Sequence, residues 1–229
     1  MPRLRLPGRR RGGGRSSGGR PLYNARIIVG LGNPGPRYAT HRHNAGARVV
    51  GLLSERLDLP LTQEAKLFVG GQGATPFGPV VLAQPRVFMN ESGRAVQSLL
   101  TQHRAQPPQL ILVVDELDIE VGRIRVRGEG GDGGQKGMRS IRETIGRLDF
   151  ARVRIGVGRP YVNDEPSYHP DVVADHLLAS PIPEERAALR AAEAQAAEAV
   201  IAILRDGVEA AMNAFNGTPP REERRPGAS

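Results

Sequence analysis

One histidine, one aspartate and two asparagines, His43, Asp115, Asn33 and Asn90, are the residues of this chain whose types could together run a hydrolysis. A neutral imidazole titrates near physiological pH and can take a proton from water. A buried carboxylate on its other ring nitrogen fixes the tautomer and stabilises the imidazolium. Asparagine amides can hold the water or donate to a developing oxyanion, and if water attacks directly no serine or cysteine nucleophile is required. Each of the four stands next to an apolar run. Asn33 follows residues 26–31, Asn90 follows 79–83, Asp115 abuts the wholly apolar 110–114, and His43 arrives through the loop after the first run. In open α/β sheets, sites form beyond the carboxyl ends of the strands, so these ends can converge. Rivals exist on composition alone. His41 is placed as well as His43, Glu116 and Asp118 compete with Asp115, and Asn90 could simply cap the helix that starts at Glu91.

The elements that must position this set alternate strand and helix patterns. Residues 26–31, 66–73, 79–83, 110–114, 123–127 and 151–157 read as strands, the fourth apolar enough to be buried on both faces. Residues 44–57, 91–102 and 138–145 carry helical periodicity. A polar loop after Tyr161 leads to 172–178, followed by a long alanine-rich helix over 183–205 stopped by Gly207, and a short helix over 209–215. The pattern predicts a single α/β domain, a mixed sheet flanked by helices, over residues 25–216. Strand order is not readable from it.

Gly30, Gly32 and Gly35 form a literal GxGxxG after the first strand, the pattern of a dinucleotide site. That site needs a helix starting within the glycines and an acid about 20 residues on, at a strand end. Here Pro34, Gly35 and Pro36 keep the chain irregular to about Thr40, and Glu55 and Asp58 fall at the end of a helix instead. The nucleotide reading is set aside.

The chain has 229 residues, 39% of them hydrophobic, enough for one good core, and no cysteine, which excludes disulfides and thiolate metal sites. No apolar run approaches a membrane span of about 18 residues. The net charge of +8 suggests a nucleic-acid binder, but residues 1–24 hold seven arginines and no acid, and without them the body carries only +1. This segment lacks apolar periodicity and is expected to be disordered, as is the polar tail 217–229. It fits a solvated extension, an organelle transit peptide or an RNA-attracting arm. In the body, Arg123, Arg125 and Arg127 alternate with apolar residues, which puts all three on one strand face beside the glycine-rich residues 128–134; Arg152 and Arg154 alternate on the next strand. The stripe suits phosphate binding, or is a solvated strand face.

Five motifs in order, GLGNPGPRYATHRHNAG, FMNESG, ILVVDELDIEVG, GGDGGQKGMRSI and FARVRIGVGRP, resemble the bacterial-type peptidyl-tRNA hydrolases over nearly all of residues 26–215. The resemblance implies a monomeric, cytosolic α/β hydrolase without metal or cofactor. Its substrate would be peptidyl-tRNA, its product tRNA recycled after abortive translation. It implies His43 as the catalytic base, Asp115 as its orienting partner, Asn33 and Asn90 as the amides near the ester, and Tyr38 and Met89 in the peptide-side cleft. Arg127 and Arg154 would bind tRNA phosphate. One departure is visible: Gln135 and Lys136 stand where the family usually has a His-Asn pair. Lysine cannot accept a hydrogen bond; it could attract phosphates or the oxyanion, or Gln135 could supply the amide. The departure and the Arg-rich tail also leave open a non-catalytic RNA-binding protein on the same fold, as in plastid splicing factors that resemble this family. Retention of His43 and Asp115 favours the enzyme.

Overall fold

The computed structural model describes residues 21–217, so most of the Arg-rich segment and the C-terminal tail lie outside the described residues. Residues 21–24, which the sequence reading assigns to the N-terminal segment, are among the described residues. Leu22 packs against the core, and its backbone N–H donates to His103 Nδ1 at 3.1 Å.

The elements are β1 (Arg26–Gly30), α1 (Ala45–Arg56), β2 (Gln63–Glu64), β3 (Phe68–Thr75), β4 (Gly78–Pro85), α2 (Ser92–His103), β5 (Leu110–Glu116) and β6 (Ile124–Arg127). They continue with α3 (Lys136–Ile145), β7 (Ala151–Gly156), the small hairpin β8 (Tyr161–Val162) and β9 (Glu165–Pro166), α4 (Pro170–Leu177), α5 (Pro183–Asp206) and α6 (Val208–Phe215). Seven strands form one mixed sheet in the order β2-β3-β4-β1-β5-β7-β6. The inner four, β4, β1, β5 and β7, are parallel, and antiparallel strands close both edges. Alternation decides the two faces. Ile28, Ile111 and Val113 pack under α1, α5 and α6, while Ile27, Val29, Leu31, Leu112 and Val114 pack against α2 and α3. The result is a three-layer α/β/α sandwich. Among the described residues, no helix is long and apolar enough to cross a membrane.

The chain leaves β1, turns through one 3₁₀ turn at Pro36–Tyr38 and a second at Arg42–Asn44, and only then enters α1. The glycines therefore open no helix. Their work is steric. A Cβ on Gly30 would overlap the Gly46 carbonyl, and one on Gly46 would overlap the Val113 carbonyl oxygen and lie 2.8 Å from Leu31 N. Helix α1 thus rests directly on the backbones of β1 and β5, and the Ala47 N–H donates to Leu31 O at 2.9 Å. Gly46→Ala is expected to cost about 2–3 kcal/mol, since no side chain can give way; a urea midpoint equal to that of the wild type would refute this contact.

Candidate active site

The exits of β1, β4, β5 and β7 lie on one edge of the sheet, and the order reverses at β1, whose neighbours β4 and β5 follow it by crossovers in opposite directions. Such a switch point leaves a crevice. A cleft of about 810 Å³ occupies it, lined among others by Asn33, Tyr38, His43, Met89, Asn90 and Lys136.

Asp115, 1% exposed, sits in β5 with both carboxylate oxygens facing His43. His43 Nδ1 lies 3.0 Å from Oδ1 and 2.9 Å from Oδ2. The donating Nδ1–H leaves Nε2 as the basic nitrogen, and no protein group among the described residues engages it. Burial, the strongest influence, lowers the His43 pKa; the charge and hydrogen bond of Asp115 raise it and win, with Lys136 pulling down, so the net shift is upward from 6.5. His41 is no equal. It lies in extended backbone before the turn, its ring edge-on to Tyr38 at 5.3 Å, and burial, Arg37 and Arg48 lower its pKa. The rival acids are engaged elsewhere, Glu116 with Arg154 and Asp118 with Arg159.

Asn33 is held at three atoms. Its N–H donates to Asn44 Oδ1 at 3.0 Å, its carbonyl accepts from Asn44 Nδ2 at 2.9 Å, and its Oδ1 accepts the Met89 N–H at 2.9 Å. The last bond fixes the amide so that Nδ2 is left to donate into the cleft. Asn44 is a functional support that sequence reading missed, although its place after His43 marked the helix entry. Asn90 is not a cap. It lies within the 3₁₀ turn Met89–Glu91, exposed, and no side chain caps either that turn or α2. Tyr38 packs edge-to-face on Phe88 at 6.2 Å, and with Met89 they form an apolar side of the cleft.

Gln135 lines the cleft with its amide nitrogen committed and its Oε1 without a hydrogen-bond partner among the described residues. Its Nε2 donates to the Asp115 carbonyl and reaches Glu116 Oε2 at 3.4 Å, pinning the start of α3 to the end of β5. Lys136, the next residue, is exposed on the cleft wall. The opposite wall, α4 with Val173, Ala174 and Leu177, went unnoticed in the sequence because none of its residues is buried and its pattern is weak.

The basic stripe is only partly available. Arg123 lies before β6 and pairs with Glu120 at 3.1 Å; Arg154 is paired with Glu116; Arg152, 4% exposed, donates to the carbonyls of Gly130, Gly131 and Leu148. Arg125 and Arg127 stand opposite Arg154 and Arg152 in the β6–β7 ladder and have no partner among the described residues.

A family model described as peptidyl-tRNA hydrolase matches residues 27–224. Peptidyl-tRNA hydrolase from Synechococcus sp. (strain JA-3-3Ab) is 42% identical over 192 residues, covering 83% of this chain and 82% of that protein. The protein of the same name from Mycolicibacterium vanbaalenii is 42% identical over 190 residues, 82% of this chain and 94% of its own. The crystal structure of peptidyl-tRNA hydrolase from Acinetobacter baumannii matches with a TM-score of 0.76 at 33% identity, covering 87% of this chain and 98% of that one. With family model, relatives and fold in agreement, the chain belongs to the peptidyl-tRNA hydrolase family.

Proposed function

We propose that this chain hydrolyses the ester joining a peptide to the 3′ end of tRNA, with His43 as general base. The observation that carries the reading is the His43 Nδ1 contact with both oxygens of buried Asp115 on the cleft that also holds Asn33. Nε2 takes a proton from water as the water oxygen attacks the ester carbonyl. Asn33 Nδ2 and Asn90 lie where an amide can bind water or the carbonyl oxygen. The tetrahedral adduct then expels the ribose 3′ oxygen, which receives the proton back from the imidazolium, giving a peptide acid and free tRNA. Tyr38, Met89 and Phe88 offer the peptide an apolar surface.

For tRNA we assign to phosphates Arg125, Arg127 and the exposed Arg139 of α3, whose side chains have no partner among the described residues, with Arg123 and Arg154 the weaker candidates because each already faces an acid. Removing one phosphate contact should lower the slope of log affinity against log salt by about one. Arg127→Ala is expected to do so in a filter-binding titration; an unchanged slope excludes Arg127 from the interface.

The deciding experiment is release of N-acetyl-aminoacyl groups from tRNA by the wild type and by His43→Ala, with unblocked aminoacyl-tRNA as control. Turnover by the wild type no faster than by the variant would replace the enzyme with a non-catalytic RNA-binding protein on the same fold.

A further inference from the structure

Two cationic side chains line the cleft, and they differ in what they already hold. Arg159 is occupied. It pairs with Asp118 at 2.5 and 2.9 Å and lies over the Tyr168 ring at 4.2 Å. Lys136 has no hydrogen bond and no ion pair among the described residues, although it shares the cleft with His43, Asn33 and Asn90. Its backbone is nonetheless tightly located. On one side Gln135 is bonded to the Asp115 carbonyl. On the other, a Cβ at Gly137 would come 2.6 Å from Met89 Sδ and 2.9 Å from Leu31 Cδ1, so the first turn of α3 is pressed onto the exits of β1 and β4. These are the segments that carry Asn33 and Asn90. A flexible four-carbon stem rooted there sweeps the mouth of the cleft in front of His43. The cation is felt at the base, since it opposes the Asp115 charge at the imidazole.

We propose that Lys136 is a catalytic residue whose ammonium group binds the carbonyl oxygen of the ester and stabilises the negative charge it acquires in the tetrahedral adduct. The proposal rests on the ester-hydrolase reading above. Asn33 Nδ2 supplies a neutral donor, whereas attack by water creates a full negative charge, and a charged donor is roughly twice as strong as a neutral one. Among the described residues no acid pairs with the ammonium group, so it is free for an anion that exists only during reaction, the circumstance in which binding energy raises the rate. The same cation disfavours protonation of His43 and so keeps the base ready. The competing anion is the phosphate of the terminal nucleotide, and the experiment separates the two.

The full chain is compared with Lys136→Met and Lys136→Arg on N-acetyl-aminoacyl-tRNA. The Met variant is expected to lose about tenfold to a hundredfold in kcat with KM within about twofold, and Arg to restore part of the loss. In parallel, two unreactive tRNA analogues are bound, one ending in a tetrahedral phosphonate and one in a neutral amide. The wild type should prefer the phosphonate by about tenfold or more, and the Met variant should lose that preference while holding the amide equally well. Unchanged kcat with a raised KM and a salt slope lowered by about one would overturn the proposal in favour of a phosphate contact. Equal losses for both analogues would overturn it as well. A wild type that prefers the phosphonate but turns nothing over would count against the hydrolase reading and leave the anion site standing.

Discussion

Replacing His43 by alanine is expected to lower kcat on N-blocked aminoacyl-tRNA by about three to four orders of magnitude, with KM nearly unchanged. General base catalysis contributes roughly 10² to 10⁴, and no neighbouring group can inherit the task. His41 Nδ1 is buried without a partner and its ring stands against Tyr38, outside the reach of Asp115. Asp115→Asn should cost kcat nearly as much while leaving the geometry intact. An amide NH₂ facing Nδ1 would turn the ring to the other tautomer and place the proton on Nε2, where the base must be free, as happens in the serine-protease triad.

The pH profile follows with a definite sign. The base acts when neutral, so kcat/KM falls as pH drops through the His43 pKa, and that pKa lies above 6.5. Burial alone would push it below; the carboxylate of Asp115 reverses the direction. In Asp115→Asn both upward influences disappear, and the acid limb should move to lower pH along with the drop in rate. A limb that stays in place between the two proteins would mean that the titrating group is not His43.

His43, Asp115 and Asn33 were legible in the sequence because each is tied by chain distance to an apolar strand, and strand ends are where parallel sheets leave open space. Periodicity cannot say which strands pair, so the order β2-β3-β4-β1-β5-β7-β6, and with it the convergence, needed coordinates. The choice between His41 and His43 was equally closed to composition. It is decided by the 3₁₀ turn Arg42–Asn44, which points two residues only two positions apart in different directions. Charge fates were the least legible. Arg154 and Arg127 look alike on alternating strands, yet one meets buried Glu116 and the other meets no acid among the described residues, a difference made by the strand end at β5 and not by local sequence. The same holds for Gln135, whose amide is drawn to the Asp115 carbonyl because the β5 end lies under the first turn of α3.

Arg42→Met is expected to destabilise the protein by about 3 kcal/mol and to raise KM more than it lowers kcat. Arg42 is 4% exposed and immediately precedes His43. Its Nη1 donates to the carbonyls of Ser180 at 3.0 Å and of His176 and Ala179 at 3.4 Å, and its Nη2 meets Glu185 at 2.5 Å. Three carbonyls at and just beyond the end of α4, and one carboxylate in the first turn of α5, therefore converge on a single guanidinium. Removing one partner of a buried pair costs about 3–5 kcal/mol; Glu185, 26% exposed on its side chain, can regain water, which argues for the lower figure. The functional effect comes from α4. With no fully buried residue of its own, it is held by the packing of its half-buried Leu177 on the core and by polar ties, namely Arg42, the His176 Nε2 donation to Val157 O and Gly158 O, and the Thr40–Ser180 hydroxyl contact at 2.7 Å. Loss of the largest tie should loosen the cleft wall built by Val173, Ala174 and Leu177 while the His43–Asp115 pair, anchored in β5, keeps its geometry. Faster amide exchange across α4, measured beside urea unfolding and steady-state kinetics, would accompany the rise in KM. Unaltered exchange in α4 with unaltered KM would show that the wall stands without Arg42.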